Sequence, residues 1–224
     1  MSAGDDAAFR AFVAAQGPGL LRTAHLLTGD PAQAHDLLLT ALDAARRQWA
    51  GPEQAARVAR RAVLAEQLSW RRRLDLGEVL AESPLLSGTA DLPGLAAAAP
   101  ARRSPSAAAL ARLPPLARTV LVLRYGEGLS AEETAAELDR PVQDVAAAAE
   151  RGLARYAEQT DPSGDAGARL RRDLAGQAAE VTAVPADLVD QVRARARGRR
   201  RHRAGLLAVL AFLAAVVLLV AVTV

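Results

Sequence analysis

"LSAEETAAELDRPVQDVAAAAERGLARY", residues 129–156, decides how this chain is read. Ser130-Ala131-Glu132-Glu133 has the form of a capping box, in which a Ser side chain and a Glu three residues on satisfy each other's backbone N–H groups. The spacing predicts a helix from there to about Leu138. Asp139-Arg140-Pro141 makes the turn, with Asp139 as the residue that tolerates positive φ. A second helix then runs to about Gln159. A small residue stands where the helices cross (Ala135) and an apolar one before the turn (Leu138). Val142, Val145 and Leu153 serve as anchors on the second helix. This is the layout of a helix-turn-helix, although an ordinary αα-hairpin in a bundle satisfies the same pattern. One feature is unusual: where a reading helix presents polar side chains, this one offers Ala146, Ala147, Ala148 and Ala149.

The rest of the chain points to helices as well. Hydrophobic residues make up 51% of the 224, yet aromatics only 3%, so Ala, Leu and Val carry the apolar mass. Ala and Leu are strong helix formers, whereas sheets favour β-branched and aromatic residues. The 28 basic residues are all Arg. With no Cys there are no disulfides and no thiolate metal sites.

Residues 6–16 read as a short helix stopped by Gly17-Pro18-Gly19, and a second helix ends at Gly29. Asp30-Pro31 opens a third, Asp as N-cap and Pro at the first helical position. Ala34, Leu37, Leu38, Ala41, Leu42 and Ala45 form one face of it. A fourth runs from Gly51-Pro52-Glu53 to about Arg73, with six Arg against Glu66 between Arg57 and Arg73. Residues 75–105 are rich in Gly, Pro, Ser and Ala and read as a linker. A second helical block occupies 106–159, and 160–185 reads as a flexible spacer.

The C-terminus has another character. Residues 204–224, "AGLLAVLAFLAAVVLLVAVTV", carry no charge. As a helix they would cover roughly 30 Å, the depth of a bilayer core. Seven Arg lie in residues 193–203 just before, and positive charge beside a span stays cytoplasmic. The expectation is a single-pass protein of the cell membrane with its N-terminal domains in the cytoplasm.

No enzyme site presents itself. His25, His35 and His202 lie on separate segments, and there is no phosphate-binding loop. No cofactor and no metal is expected.

Two stretches resemble a known family. "LPPLARTVLVLRYGEGLSAEETAAELDRPVQDVAAAAERGLARY" is similar to region 4 of the extracytoplasmic-function (group IV) RNA polymerase sigma factors, in their actinobacterial sigma-E-like branch. Those proteins typically read L-P-x-x-x-R-x-V-L-x-L-R-Y, then L-S-x-x-E-T-A-x-x-L, then a recognition helix and R-G-L-A-R. "FRAFVAAQGPGLLRTAHLLTGDPAQAHDLLLTALDAARRQW" is similar to sigma region 2, and "PEQAARVARRAVLAEQLSWRRR" resembles its helix that engages the −10 element.

The resemblance implies an all-α chain of two small domains, to which the charge-free C-terminus adds a transmembrane helix. A region 2-like bundle spans 6–74, a linker 75–105 and a region 4-like helix-turn-helix 106–159. A spacer and basic juxtamembrane segment span 160–203, and the membrane helix 204–224. Taken together with the charge-free C-terminus, it implies a membrane-tethered sigma factor whose partners are core RNA polymerase, promoter DNA, the membrane and an anti-sigma or other regulatory protein. The alternative is a degenerate sigma-like interaction or regulatory protein at the membrane, without sequence-specific DNA binding.

Core-polymerase binding maps onto Asp36, Leu37, Leu38 and Ala41. Capture of the melted −10 strand, which needs stacking and positive charge, maps onto Trp49, Arg60, Arg61, Trp70, Arg71, Arg72 and Arg73. Reading of the −35 major groove maps onto Arg140, Gln143, Asp144, Ala147 and Arg151, with Glu150 on the same exposed side. The chain departs from the family in two places. Leu39 and Thr40 replace Q-E, and the recognition helix has Pro141, Asp144, Ala146 and Ala147 for the family's Ser, Thr, Lys and Ser. Residues 129–156 hold three Arg against six acids, a net −3. Phosphate attraction dominates DNA affinity, so this module alone should bind DNA weakly.

Overall fold

The computed structural model describes residues 3–81, 104–181, 185 and 187–197, with the side chains of residue 3 and residues 69–81 left aside. Among the described residues the chain is helical, without a strand. It divides into two compact units, Met1–Val184 and Pro185–Val224. Within the first lie α1 (Ala3–Thr28), α2 (Pro31–Arg47), α3 (Pro52–Ala81) and α4 (Pro105–Arg112). Then come α5 (Pro115–Leu121), which runs into a π-helical turn (Val122–Gly126), α6 (Ala131–Leu138), α7 (Val142–Thr160) and α8 (Ala166–Ala179). In the second unit, residues 188–197 are helical, and Arg193 pairs with Asp190 at 3.2 Å.

Helices α1, α2 and α3 pack mutually as a bundle. Helix α2 starts as its sequence predicts: the Gln33 N–H donates to Asp30 Oδ1 at 2.8 Å, and Pro31 follows the cap. Its predicted face, Ala34, Leu37, Leu38, Ala41, Leu42 and Ala45, is buried throughout.

Helix α1 departs from expectation. It is one continuous helix through Pro18, where a break was predicted. An interior Pro forfeits a hydrogen bond and costs about 3 kcal/mol. Here Pro18 and Ala14, whose carbonyl loses its donor, both face solvent, so water can serve that carbonyl. The opposite face stays apolar across the break, with Phe9, Phe12, Val13, Leu20, Leu21 and Leu27 all buried. Each large side chain of that kind stabilises by roughly 1.5–3 kcal/mol, which outweighs the Pro. Gly29, at φ 64°, ends the helix, its N–H donating to His25 O at 2.7 Å.

The second half assembles around α7, on which α4, α5, α6 and α8 all pack. Val120, Ala135, Val145, Ala148 and Ala149 form its inner cluster, flanked by Leu116 and Leu138. The alanine run is therefore divided. Ala148 and Ala149 are core, while Ala146 and Ala147 are half-buried. Close approach is the reason for small residues: a Cβ on Gly152 would stand 3.2 Å from both Ala117 Cβ and Leu121 Cδ1. Two expected anchors differ. Val142 is exposed and Leu153 half-buried; Gly152 and the fully buried Tyr156 lie on the inner face instead.

Residues 75–81, expected in the linker, continue α3. Residues 166–179, expected in the spacer, form α8. Asp165 caps it, accepting from the Ala168 N–H at 3.0 Å. Only two of its residues are both large and apolar, so its periodicity is faint, but these, Leu170 and Leu174, are completely buried. Their burial contributes roughly 1.5–3 kcal/mol each.

The expected placement in the cell membrane is corrected. No helix among the described residues is long and apolar enough to cross a membrane. The long helices α1 and α3 carry charged residues along their lengths. Residues 204–224, on which that placement rested, lie outside the described residues.

Candidate polymerase and nucleic-acid surfaces

The turn between α6 and α7 has the predicted geometry. The Ser130 N–H donates to Glu133 Oε2 at 2.7 Å, and the Glu133 N–H donates to Ser130 Oγ at 3.1 Å. Asp139 adopts φ 52°, ψ 52°, and the Arg140 N–H closes the turn on Ala135 O at 3.0 Å. Arg140, Gln143, Asp144, Glu150 and Arg151 are exposed along α7 and its entry, with Ala147 half-buried among them. These positions share one surface. It offers Arg guanidinium groups for phosphates, an amide for a base edge and a carboxylate able to accept from a cytosine amino group.

On α2, Asp36 is exposed, while Leu37, Leu38 and Ala41 belong to the bundle core. Leu39 is also buried. Trp49, just past α2, is half-exposed, with its ring edge-on to Phe9 at 5.5 Å and Phe12 at 5.9 Å. The side chains of Trp70, Arg71, Arg72 and Arg73 lie outside the described residues.

Arg60 and Arg61 project from α3 toward the second half. Arg60 Nη2 donates to Glu127 Oε2 at 2.6 Å, and Arg60 Nε to Glu137 Oε1 at 2.8 Å. Arg61 lies 3.7 Å from Asp139. The Thr23 hydroxyl of α1 donates to Glu127 Oε1 at 2.5 Å. Burial works against the Arg60 charge, but the hydrogen bonds and charges of Glu127 and Glu137 prevail and hold its pKa above the ordinary value. Beside these pairs opens a cleft of about 960 Å³ between α1, α3 and α6, with Arg22 and Arg57 on one wall and Glu133 on the other.

Deeper in the same seam, Leu27 O, in the last turn of α1, accepts from Arg118 Nη1 at 3.0 Å and from Gln67 Nε2 at 3.3 Å. Arg118, only 4% exposed, also donates to Leu110 O at 2.8 Å and to Ala111 O. A guanidinium suits this place because the last carbonyls of a helix have no intrahelical donor and carry partial negative charge.

The sequence reading did not assign Arg118, Gln67, Glu127 or Glu137. Arg118 had a signal, since it is the Arg of the L-P-x-x-x-R pattern. The two glutamates had none, being ordinary surface acids until the fold brings α3 to them.

Tyr156 of α7 donates its hydroxyl to the Asp173 carboxylate of α8. Burial first, and then that hydrogen bond and the Asp173 charge, raise the phenol above its usual range. A phenol with a raised folded-state pKa contributes stability that is fully present below its unfolded value, about 10, and is lost as pH climbs through the folded value. Stability should therefore decline above about pH 10. Tyr156→Phe should cost roughly 1.5–3 kcal/mol at neutral pH and flatten that alkaline decline. Urea titrations across the alkaline range measure both, and an unchanged slope in the variant would contradict the assignment.

Residues 107–155 match the family described as Sigma-70, region 4. The RNA polymerase sigma-E factor of Streptomyces coelicolor is 35% identical over 158 residues, which cover 67% of this chain and 85% of that protein. The RNA polymerase sigma-E factor of Streptomyces avermitilis is 34% identical over 164 residues, covering 72% of this chain and 89% of that one. A protein of the same description from Streptomyces antibioticus is 33% identical over a stretch of the same length. With the region 4 match over 107–155 and sigma-E relatives at 33–35% identity over two thirds or more of its length, the chain belongs to the extracytoplasmic-function RNA polymerase sigma factors.

Proposed function

We propose that this sigma factor binds core RNA polymerase and directs it to promoters, with α3 and Trp49 at the −10 element and the α7 surface at the −35 element. In this reading 6–74 acts as the region 2-like part and 106–159 as the region 4-like part. The observation that carries it is the helix-turn-helix. A left-handed Asp139 sets α7 so that Arg140, Gln143, Asp144, Ala147 and Arg151 share the surface a groove would meet. On α2, Asp36 would meet the polymerase, with Leu37, Leu38 and Ala41 fixing the helix beneath it. On α3, Arg60, Arg61 and Arg71–Arg73 supply the positive charge that tracking a displaced strand requires, with Trp70 beside them for stacking.

The test is competition. Full-length protein is titrated against a fluorescent housekeeping sigma factor bound to core polymerase. Displacement is expected despite Leu39 and Thr40; none by a folded, helical preparation would overturn the proposal. A second reading has its own observation. Ala146 and Ala147 offer no hydrogen-bonding group, and Asp144 and Glu150 bring negative charge to the reading surface. That favours a sigma-like regulator that engages a partner without reading sequence. Displacement without promoter-specific transcripts would select it.

A further inference from the structure

We propose that α8 is an intramolecular clamp: it fastens the helix-turn-helix half onto α1, in a closed form that keeps Arg60 and Arg61 on carboxylates and away from nucleic acid. The masking part rests on the proposed role of α3 at DNA; the clamp itself does not.

Helix α8 reaches both halves at once. Toward the helix-turn-helix, Asp173 holds the Tyr156 hydroxyl and Gln177 Nε2 donates to Ser106 Oγ of α4 at 3.4 Å. Arg171 lies over the Tyr125 ring at 5.3 Å. Toward the bundle, α8 packs on α1, and Leu26 of α1 and Leu174 flank the same glycine: a Cβ on Gly126 would stand 3.3 Å from Leu26 Cδ1 and 3.4 Å from Leu174 Cδ1. Helices α1 and α8 therefore converge on the π-helical turn. Just beyond α8, Glu180 Oε2 lies 3.6 Å from Nε2 of the buried His25. None of α8 falls within the region 4 match, which ends at 155. It is an addition to the helix-turn-helix.

The clamp and the masked cations share one turn of chain. Helix α8 packs on Tyr125 and Gly126, and the next residue, Glu127, takes both Arg60 and Thr23. Arg60, held by two carboxylates, has no free charge for a phosphate, and phosphate neutralisation is where DNA affinity comes from. Geometry adds a second constraint. Elements named −10 and −35 are about 25 base pairs apart, roughly 85 Å of duplex. In the closed form α3 and α6 touch, Arg60 to Glu137 at 2.8 Å. One promoter cannot occupy both surfaces until the halves part.

Holding and releasing are divided between two kinds of contact. The ion pairs are partly exposed and yield to salt, so the apolar seat of Leu170 and Leu174 is the firmer hold. That seat is also imperfect. Gln177 Oε1 is buried without a partner among the described residues, a penalty that release removes.

The test uses the full chain, whose lack of Cys makes labelling clean. Spin labels at Ala65→Cys on α3 and Gln159→Cys on α7, both exposed, report the distance between the halves. The parent should give one narrow, short distance. Leu174→Asp should lengthen and broaden it. So should the milder Leu174→Ala, which keeps the test open if the first fails to fold. Both should bind a fluorescent single-stranded oligonucleotide of random sequence about tenfold more tightly at moderate salt. An unchanged distance in folded variants overturns the clamp, and a longer distance without tighter binding overturns the masking. Longer distance and tighter binding, with no displacement of a housekeeping sigma factor, would sustain the clamp while the proposed function falls.

Discussion

Arg118→Ala should lower the stability of the first unit by roughly 3–5 kcal/mol, one of the two largest effects anticipated for a single site or pair in this chain. The variant removes donors from three carbonyls, Leu27 O, Leu110 O and Ala111 O, in a place where Arg118 is only 4% exposed. A buried carbonyl left without a partner costs about 1–3 kcal/mol, and Gln67 can still serve Leu27 O, so the sum falls short of three full penalties. For a unit of this size the midpoint of thermal unfolding should drop by roughly 8–15 °C. Arg118→Lys should recover only part of the loss, because an ammonium cannot fork to carbonyls of two helices. The exposed Arg112 in the same region serves as control, with an expected change to alanine within about 0.5 kcal/mol. Far-ultraviolet circular dichroism during heating reads all three, and a loss below about 1 kcal/mol for Arg118→Ala would mean that the seam does not depend on this guanidinium.

The other large effect concerns the reading surface. Asp144→Thr combined with Ala146→Lys should raise affinity for duplex DNA by roughly ten- to a hundredfold at moderate salt. Asp144 is exposed at the start of α7 and Ala146 is half-buried two residues on. The first change removes a negative charge that repels phosphate. The second supplies a cation within reach of the backbone or a base edge. One new phosphate contact steepens the dependence of log K on log salt by about 0.9, so titrations at several salt concentrations separate a true contact from general stickiness. Fold should be unaffected, since neither side chain belongs to the cluster of Val120, Ala135, Val145, Ala148 and Ala149. If neither affinity nor salt slope moves, α7 does not sit in a groove.

What was legible in the sequence was local. The Asp30 cap, the buried stripe of α2, the Ser130–Glu133 box and the left-handed Asp139 each depend on residues within a turn or two of one another. Capping and periodicity act over that range, so they survive in one dimension. The family resemblance rests on the same local patterns, and the match over 107–155 and the Streptomyces relatives agree with it.

Other features were decided only by tertiary structure. Arg60 reads as a free cation on a basic helix until Glu127 and Glu137 reach it from 67 and 77 positions away. Arg118 reads as a motif letter until it meets Leu27 O across 91. Pro18 reads as a helix stop until one sees that the missing hydrogen bond faces solvent and the apolar face continues beneath it. Four consecutive alanines read as a blank surface, but the packing of α5 and α6 on α7 takes Ala148 and Ala149 into the core and leaves Ala146 and Ala147 at the edge. Helix α8 reads as spacer because only two of its residues, Leu170 and Leu174, are both large and apolar, and both are completely buried once the helix packs, Leu174 against Gly126 of the π-helical turn. By itself the sequence determined most of the helical segments and several of their caps, such as those at Asp30 and Ser130, since those choices depend on nearest neighbours. Which charges are spent, which alanines are buried and which helix holds the halves together depend on groups far apart in the chain, and only folding sets those distances.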